Sequence, residues 1–544
     1  MDLGAAFLSL LEKHAGGILE RITAEPEIHA LINAGLIDHI VSATKPRPLP
    51  YSLWTGRPIG VPYGGPGGEP QSDYVTWDGL TDRRFTGRHL PPADDAYMAG
   101  LPKIEDVAAL FKRTEFIPSQ TTSTLLCYFA QWFTDSFLRT LADDSRLNTS
   151  NHEIDLCQIY GLDAETAALL RCRKGGELRT TSGGLYPAHL FDVHGLVYPQ
   201  FETLPYLIER PDHKTLEDVV LGSLDVPGEE LLARKRGLYA TGLERGNSTI
   251  VYTAISSIFV REHNRLCGVL AASHPDWDDD RLFETARNIN IVLLLKLTVN
   301  EYINHLAGAP FKLSLDRGFA ETKTWYRTNR IAIEFDLLYR WHSLVPDSIT
   351  VDANTYTAAE YRFNNALLEK HGAEALIAAA SRQPAGRLGM GNSPDFLIKY
   401  AEPAAHHLSR AHRLRSFTEY QDCFGETPVA SFEELTGGDA LLADSLRALY
   451  TDVTNVEFAV GLFAQHHADN ATLPATLNAM VAVDAFSQIL TNPLLASNIY
   501  GPQAFSDEGL AVIEGTNSLQ QLVLRNCAPG TEATVYASFD LPGG

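Results

Sequence analysis

The sequence predicts a mainly α protein with one large domain, and two observations support this prediction. Apolar residues recur at helical spacing from about residue 103 to residue 525, whereas alternating strand patterns are sparse. The chain has no internal repeat and no low-complexity tract. The predicted helical segments are 103–112, 120–142, 161–173, 249–272, 278–307, 328–343, 358–382, 396–414, 440–450, 473–491 and 507–525.

The first 48 residues form a separate predicted region. Apolar residues come in short helical bursts that are punctuated by Pro26, Gly35 and Pro46. Two interpretations stay open for residues 1–48: short amphipathic helices that form a monotopic membrane-binding segment, or a helical arm packed on the body of the protein. Residues 49–544 are predicted to form one large domain that opens with a Pro- and Gly-rich loop.

Composition excludes several classes of protein. With 45% hydrophobic and 20% charged residues over 544 positions, the chain is predicted to be globular. A formal charge of −23 argues against nucleic acid as a partner. The six cysteines form no CxxC, the N-terminus lacks signal-peptide features, and no apolar run approaches the roughly 20 residues of a membrane span. We expect a cytoplasmic protein, with peripheral contact at a membrane left open.

The tetrad YRWH, residues 339–342, is the first candidate for chemistry. Within the predicted helix 328–343, Tyr339 and His342 lie three residues apart on one face. An imidazole that can bind a metal would then lie beside a phenol that can hold a radical. The alternative is that His342 is a structural residue at the end of an apolar helix.

This segment resembles the proximal haem helix of the cyclooxygenases, and YRWH is similar to the tetrad of plant α-dioxygenases and fungal linoleate diol synthases. FVREHNRL followed by HPDWDDDRLFETAR, within residues 259–287, is similar to the same superfamily. The resemblance covers nearly the whole chain. It implies the haem peroxidase–cyclooxygenase fold, with haem between helices. It also implies that His342 is the axial iron ligand, that Tyr339 is the catalytic radical residue, and that Gln131 and Trp341 are further haem contacts.

The segment LLCYFAQWFTDSFLRT, residues 125–140, resembles the distal helix of that superfamily. Gln131 matches the family pattern, but Asp135 stands where the family has its distal histidine. Arg245 falls where mammalian peroxidases keep a distal arginine, and its charge is expected to keep Asp135 ionised. Thr134 and Ser248 occupy the positions of the ester-forming acids, so the resemblance implies non-covalent haem b.

Substrate recognition is inferred from the same resemblance. Lys45 falls where cyclooxygenases pair an arginine with the substrate carboxylate, and a lysine can form that ion pair without the bidentate geometry. Five residues match positions that line the cyclooxygenase channel: Tyr302, Ile303, Leu306, Leu338 and Ser487. The partners implied are a fatty acid and dioxygen or peroxide.

The resulting hypothesis is a haem-dependent fatty-acid oxygenase, in which a tyrosyl radical at Tyr339 abstracts hydrogen and dioxygen adds to the lipid radical. One alternative is a peroxidase or peroxygenase that uses Asp135 and Arg245 as its distal pair. Another is a degenerate haem-binding protein without turnover. The sequence leaves a homodimer open.

Overall fold

The computed structural model describes residues 25–42, 77, 81–141, 144–208, 215–216, 226–326, 330–399 and 401–542. Helices dominate this part of the chain, which confirms the mainly α prediction. The α-helices are α1 Pro26–Val41, α2 Asp95–Ala99, α3 Ile104–Ala109, α4 Thr124–Thr134, α5 Cys157–Tyr160, α6 Ala164–Leu170, α7 Gly228–Arg236, α8 Ile250–Ser273, α9 Asp279–Leu297, α10 Asn304–Ala307, α11 Ile333–Leu338, α12 Ala358–Tyr361, α13 Asn365–His371, α14 Ala373–Arg382, α15 Asp395–Ile398, α16 Ala401–Ala411, α17 Phe417–Cys423, α18 Phe432–Leu435, α19 Ala440–Tyr450, α20 Phe458–Ala464, α21 Ala475–Leu490, α22 Pro502–Gly515 and α23 Leu519–Arg525.

The β-structure is limited to two small antiparallel sheets in the described residues. β1, Pro118–Ser123, pairs with β4, Pro384–Gly386. β2, Ser348–Val351, and β3, Asn354–Thr357, form a hairpin with a two-residue loop, in which Val351 pairs with Asn354. A π-helical turn, Thr298–Ile303, precedes α10, and a 3₁₀ turn spans His342–Leu344.

The chain divides into two compact units, each built from three stretches of sequence. Unit 1 comprises Met1–Ile117, Thr298–Ser343 and Arg387–Ser497. Within it, α21 packs against both α1 and α11, and α16 packs against α3. All six residues of α11 are buried. Unit 1 contains the tetrad YRWH.

Unit 2 comprises Pro118–Leu297, Leu344–Gly386 and Asn498–Gly544. Its central element is α8, which packs against α4, α9 and α14. The side chain of Thr249 caps this helix by accepting a hydrogen bond from the Tyr252 amide. A buried polar network runs along α8, where Glu262 is fully buried and accepts hydrogen bonds from Arg265 and Arg525.

The predicted helical segments are confirmed where period and end signals agree. α8 lies within one residue of the predicted 249–272, and α19 matches 440–450. The segment 120–142 is wrong at both ends, because β1 runs to Ser123 and α4 ends at Thr134. The segment 358–382 breaks into three helices. One break lies at Gly372, whose φ of +86° ends a right-handed helix.

The predicted N-terminal region is only partly within the described residues. α1 continues through Gly35, which the sequence analysis treated as a break. Leu36, Ile37 and Val41 are buried on one side of α1, whereas the side chain of Leu31 is 76% exposed. No helix in the described ranges is both long enough and apolar enough to cross a membrane. All six cysteines are free thiols.

Candidate functional site

The helix that leads to the YRWH tetrad is shorter than predicted. α11 ends at Leu338, and Tyr339 is its C-cap with φ −96° and ψ 17°. The prediction that one helix carries both Tyr339 and His342 is therefore wrong. The rings of Tyr339 and Trp341 stack with centroids 4.7 Å apart, and residues i and i+2 of an α-helix cannot face each other in this way. The aromatic pair thus accompanies a local unwinding before the turn at His342.

The hydroxyl oxygen of Tyr339 is buried, whereas the residue as a whole is half-buried. Phe335 packs edge-on against the Tyr339 ring with centroids 5.1 Å apart, whereas Trp341 stacks on the same ring. Its hydroxyl makes no regular hydrogen bond within the described residues, although the Tyr302 hydroxyl is close enough to influence it. Burial is the largest effect and raises the pKa of Tyr339 above the usual tyrosine value, while Tyr302 acts in the opposite direction. The phenol therefore keeps its hydrogen at neutral pH.

His342 is held by a buried carboxylate that the sequence analysis did not identify. Its Nδ1 lies 2.9 Å from Oε1 of Glu402, on α16, and only 3% of the Glu402 side chain is exposed. The hydroxyl of Ser393 donates to the same oxygen at 2.7 Å. Burial tends to raise the pKa of Glu402, but His342 and Ser393 outweigh it, so that this pKa lies below its ordinary value.

The other ring nitrogen of His342, Nε2, neither accepts nor donates a hydrogen bond among the described residues. The indole Nε1 of Trp341 is also buried without a partner in this part of the chain. The His342 side chain is 14% exposed, and its Nδ1 forms an ion pair with a carboxylate at 2.9 Å without a regular hydrogen bond. An imidazole with one nitrogen beside a carboxylate and the other unengaged is the arrangement typical of a metal ligand. The residues present at this site therefore fit an axial ligand for haem iron.

The distal candidates lie at the end of α4, in unit 2. Asp135 follows Gln131 by one helical turn, and its amide donates to the Gln131 carbonyl oxygen at 3.1 Å. The two side chains thus share one face, as predicted. The Gln131 amide donates to the Ser248 hydroxyl at 3.2 Å, a partner that the sequence did not reveal. Neighbouring Trp132 is fully buried, which confirms that this is not a solvent face.

The environment of Asp135 differs from the expected one. Nη1 of Arg245 is 4.0 Å from Oδ1 of Asp135, and 53% of the Arg245 side chain is exposed. Burial is the largest effect and raises the pKa of Asp135, whereas Arg245 and Arg139 lower it by less. The positive charge of Arg245, on which the expected ionisation of Asp135 was based, is thus outweighed by burial. Oδ2 of Asp135 is buried and has no regular hydrogen bond to a described residue, although the Tyr252 hydroxyl is near enough to affect its pKa.

The predicted substrate residues fall into four groups. Lys45 lies outside the described residues. The apolar side chains predicted to line a channel are buried in unit 1, with exposed fractions of 5% or less: Ile303, Leu306 and Leu338. Tyr302 is fully buried on the π-helical turn, near the Tyr339 hydroxyl. The Ser487 hydroxyl donates to the Val483 carbonyl oxygen of its own helix at 2.7 Å.

A second buried ion pair near Tyr339 was not predicted. Nε2 of His89 lies 3.0 Å from Oδ2 of Asp484, and both side chains are at most 6% exposed. The charge of Asp484 contributes to the raised pKa of Tyr339. An acid within the apolar run of α21 was visible in the sequence, but its partner lies 395 residues away. No local pattern could have joined the two.

The chain belongs to the animal haem peroxidase family, whose profile matches residues 140–536. Prostaglandin G/H synthase 1 of Rattus norvegicus is 34% identical over 484 residues, which cover 86% of this chain and 75% of that protein. A crystal structure of Oryza sativa fatty acid alpha-dioxygenase with palmitic acid is similar with a TM-score of 0.70 at 16% identity, covering 95% of this chain and 93% of the other. Peroxidase A from Dictyostelium discoideum gives 0.63 at 16% identity, covering 92% and 97%. The predicted family and its fold are thereby confirmed, and membership implies that the protein binds haem.

Proposed function

We propose that the protein is a haem-dependent fatty-acid oxygenase with His342 as its iron ligand and Tyr339 as its hydrogen-abstracting residue. The observation that carries this proposal is the buried Tyr339 phenol, which keeps its hydrogen and lies three residues before a histidine fixed by Glu402. The names of the relatives agree, since they include a prostaglandin G/H synthase and a fatty acid alpha-dioxygenase.

The residues divide the work as follows. When bound, haem would supply the oxidant that removes one electron from Tyr339, and the phenolic proton leaves together with it. The resulting tyrosyl radical takes a hydrogen atom from a carbon of the fatty acid, which restores the phenol and leaves a lipid radical. Dioxygen adds to this radical, and the peroxyl radical takes a hydrogen atom back from Tyr339, which gives the hydroperoxide and restores the tyrosyl radical. Phe335 and Trp341 pack against the Tyr339 ring, and the buried hydroxyl is shielded from water, which protects the radical from side reactions.

Replacement of Tyr339 by Phe tests the proposal. Phe keeps the ring and its packing but has no hydroxyl hydrogen to lose. We expect Tyr339→Phe to bind haem with an unchanged Soret band and to show no oxygen uptake with fatty acids after priming by hydroperoxide. Tyr361→Phe is a matched control, because Tyr361 is a buried tyrosine of unit 2 that accepts a hydrogen bond from Tyr128 at 2.8 Å. Oxygen uptake that survives in Tyr339→Phe would contradict the mechanism.

We further propose that the cofactor is non-covalent haem b. Ester links to haem need carboxylates, and the two relevant positions carry hydroxyl groups that are engaged within the protein. The Thr134 hydroxyl donates to the Ala130 carbonyl oxygen at 2.8 Å, and the Ser248 hydroxyl accepts from Gln131. Acidified organic solvent should extract all haem from the denatured protein. Haem that stays on the polypeptide would overturn this assignment.

A second candidate function, a peroxidase with Asp135 as its distal base, is supported by the buried and incompletely bonded Oδ2 of that residue. Peroxide cleavage needs a group that accepts and returns a proton. We expect weak oxidation of small reducing substrates, which Asp135→Ala abolishes and Asp135→His increases. In the oxygenase, lipid oxygenation primed by added hydroperoxide should survive in Asp135→Ala. Loss of both activities in that variant would favour the peroxidase.

The proposal includes a cytoplasmic location and peripheral contact of residues 1–48 with a membrane, followed by one catalytic domain over residues 49–544. Exposed Ile28 and Leu31 on α1 support the contact, because apolar side chains can insert into the interface without a basic surface. Flotation with neutral phosphatidylcholine vesicles tests it, and Leu31→Glu should abolish flotation.

A homodimer is part of the same proposal, and sedimentation of the purified protein tests it.

A further inference from the structure

Glu402 differs from the other paired buried glutamates of the described chain. Four of them form ion pairs with arginine: Glu244, Glu262, Glu374 and Glu457. Glu402 has no arginine or lysine partner among the described residues, and its ion pair is with His342. A buried carboxylate needs a partner to offset its loss of hydration. For Glu402 this partner is the imidazole of His342 and not a guanidinium group.

From this geometry we infer that Glu402 is a positioning residue for the haem iron, acting through His342. The inference rests on the proposed role of His342 as the axial ligand. Oε1 of Glu402 lies 2.9 Å from Nδ1 of His342 and accepts the Ser393 hydroxyl at 2.7 Å, so the carboxylate is itself fixed in place. The ion pair restrains the ring of His342 and favours hydrogen on Nδ1, although the two groups are not joined by a regular hydrogen bond in the structure.

Within the described ranges, Ser393 is the one side chain that donates a regular hydrogen bond to this carboxylate. His406 lies one helical turn after Glu402 on α16, and it is almost fully buried. Neither ring nitrogen of His406 makes a hydrogen bond in the described chain, so it leaves the Glu402 oxygens to His342 and Ser393. The arrangement is therefore a three-residue chain, in which Ser393 orients Glu402 and Glu402 orients His342.

A charged acceptor on Nδ1 has a definite consequence for a metal at Nε2. It draws the Nδ1 hydrogen towards itself and makes Nε2 a stronger electron donor. A stronger donor stabilises ferric over ferrous iron and stiffens the bond between iron and nitrogen. Glu402 thus lowers the reduction potential of the bound haem compared with a neutral hydrogen-bond partner, and it does so without touching substrate.

The experiment uses the haem-loaded full chain and needs no substrate. Glu402→Gln keeps the size and an acceptor oxygen but removes the charge. We expect the ferric/ferrous midpoint potential to shift to more positive values and the iron–histidine stretching band of the ferrous form to move to lower frequency. Ser393→Ala should shift both in the same direction by less. Glu426→Gln is the control, because Glu426 is a half-buried acid of unit 1 bonded to Thr476 and should leave both unchanged.

The outcomes separate this inference from the proposed function. An unchanged potential and stretching band in Glu402→Gln, with haem still bound, would overturn the role of Glu402. If that variant does not fold, the same measurements on Ser393→Ala decide, and an unchanged band there overturns it equally. If His342→Ala keeps the wild-type Soret and stretching bands, the axial assignment itself fails. Loss of lipid oxygenation alone leaves the inference standing, since neither readout involves lipid.

Discussion

Two buried carboxylates of unit 2 have opposite surroundings. Glu262, on α8, is fully buried and every contact is short: it accepts hydrogen bonds at 2.7–3.1 Å from Arg265, Arg525 and Asn526. Asp135, at the end of α4, is 7% exposed, and its ion pair with Arg245 spans 4.0 Å. One carboxylate is completely paired and the other is not.

The pKa directions follow from this difference. Burial alone raises the pKa of a carboxyl group, and for Asp135 it prevails. For Glu262, the hydrogen bonds and charges of Arg265 and Arg525 outweigh burial and lower the pKa. The comparison shows that burial does not by itself distinguish a structural acid from a reactive one. The completeness of pairing does: it favours a scaffold role for Glu262 and is consistent with the proton-transfer role proposed for Asp135.

The largest expected effect is on stability, from Glu262→Gln. Removing this charge leaves two guanidinium groups without their anion, and we expect the free energy of unfolding to fall by about 3 kcal/mol. Urea denaturation at neutral pH measures it. Asp280→Asn is the control, since its side chain is 72% exposed where it pairs with Arg171, and it should cost less than about 0.5 kcal/mol. Equal effects of the two substitutions would refute the distinction.

The next effect is the pH dependence of stability, for which the two acids should act in opposite directions. The stabilisation by Glu262 is present above the unfolded pKa near 4.5 and is lost as pH falls through its lowered folded pKa. The destabilisation by Asp135 is absent below 3.8 and grows as pH rises through its raised folded pKa. Accordingly, Asp135→Asn should stabilise the protein at neutral pH but not in acid. Denaturation of each variant across this range checks the sign, and parallel pH profiles would disprove it.

The smallest expected effect comes from Arg245→Gln. Because Arg245 is half-exposed and 4.0 Å from Asp135, we expect a change of less than about 0.5 kcal/mol in unfolding free energy. The pKa of Asp135 should rise further, since a cation that lowers it is removed. Infrared titration of the Asp135 carboxyl band, with Asp135→Asn as the reference, measures this. A large loss of stability would mean that the two residues form a tighter pair than the structure indicates.

The sequence predicted elements whose signals are local. The helix α8 has a long apolar pattern and a threonine cap, and α19 is capped by Asp439, whose side chain accepts hydrogen bonds from two amides of the first turn. Both were predicted nearly to the residue. The unwinding after Leu338 was missed, because stacking of Tyr339 on Trp341 depends on tertiary packing that periodicity does not encode.

The candidate site was likewise predicted only where its signals are local in the sequence. Motif residues such as Tyr339, His342 and Asp135 were found because the family pattern marks them. Their partners were missed, since Glu402 is 60 residues from His342 in sequence and no spacing connects them. The direction of the Asp135 pKa was also beyond the sequence, because it depends on the balance between burial and an ion-pair distance.

The π-helical turn Thr298–Ile303 has a consequence for changes in chain length. A π turn holds about one residue more than an α turn, so deleting a single codon within it would restore ordinary helix. Side chains before the deleted residue would then rotate by about 100° relative to those after it. Even the loss of an apolar residue such as Val299 would therefore disturb the placement of Tyr302 beside the Tyr339 hydroxyl. An insertion or deletion at this turn is therefore less tolerable than most point substitutions on the same helix.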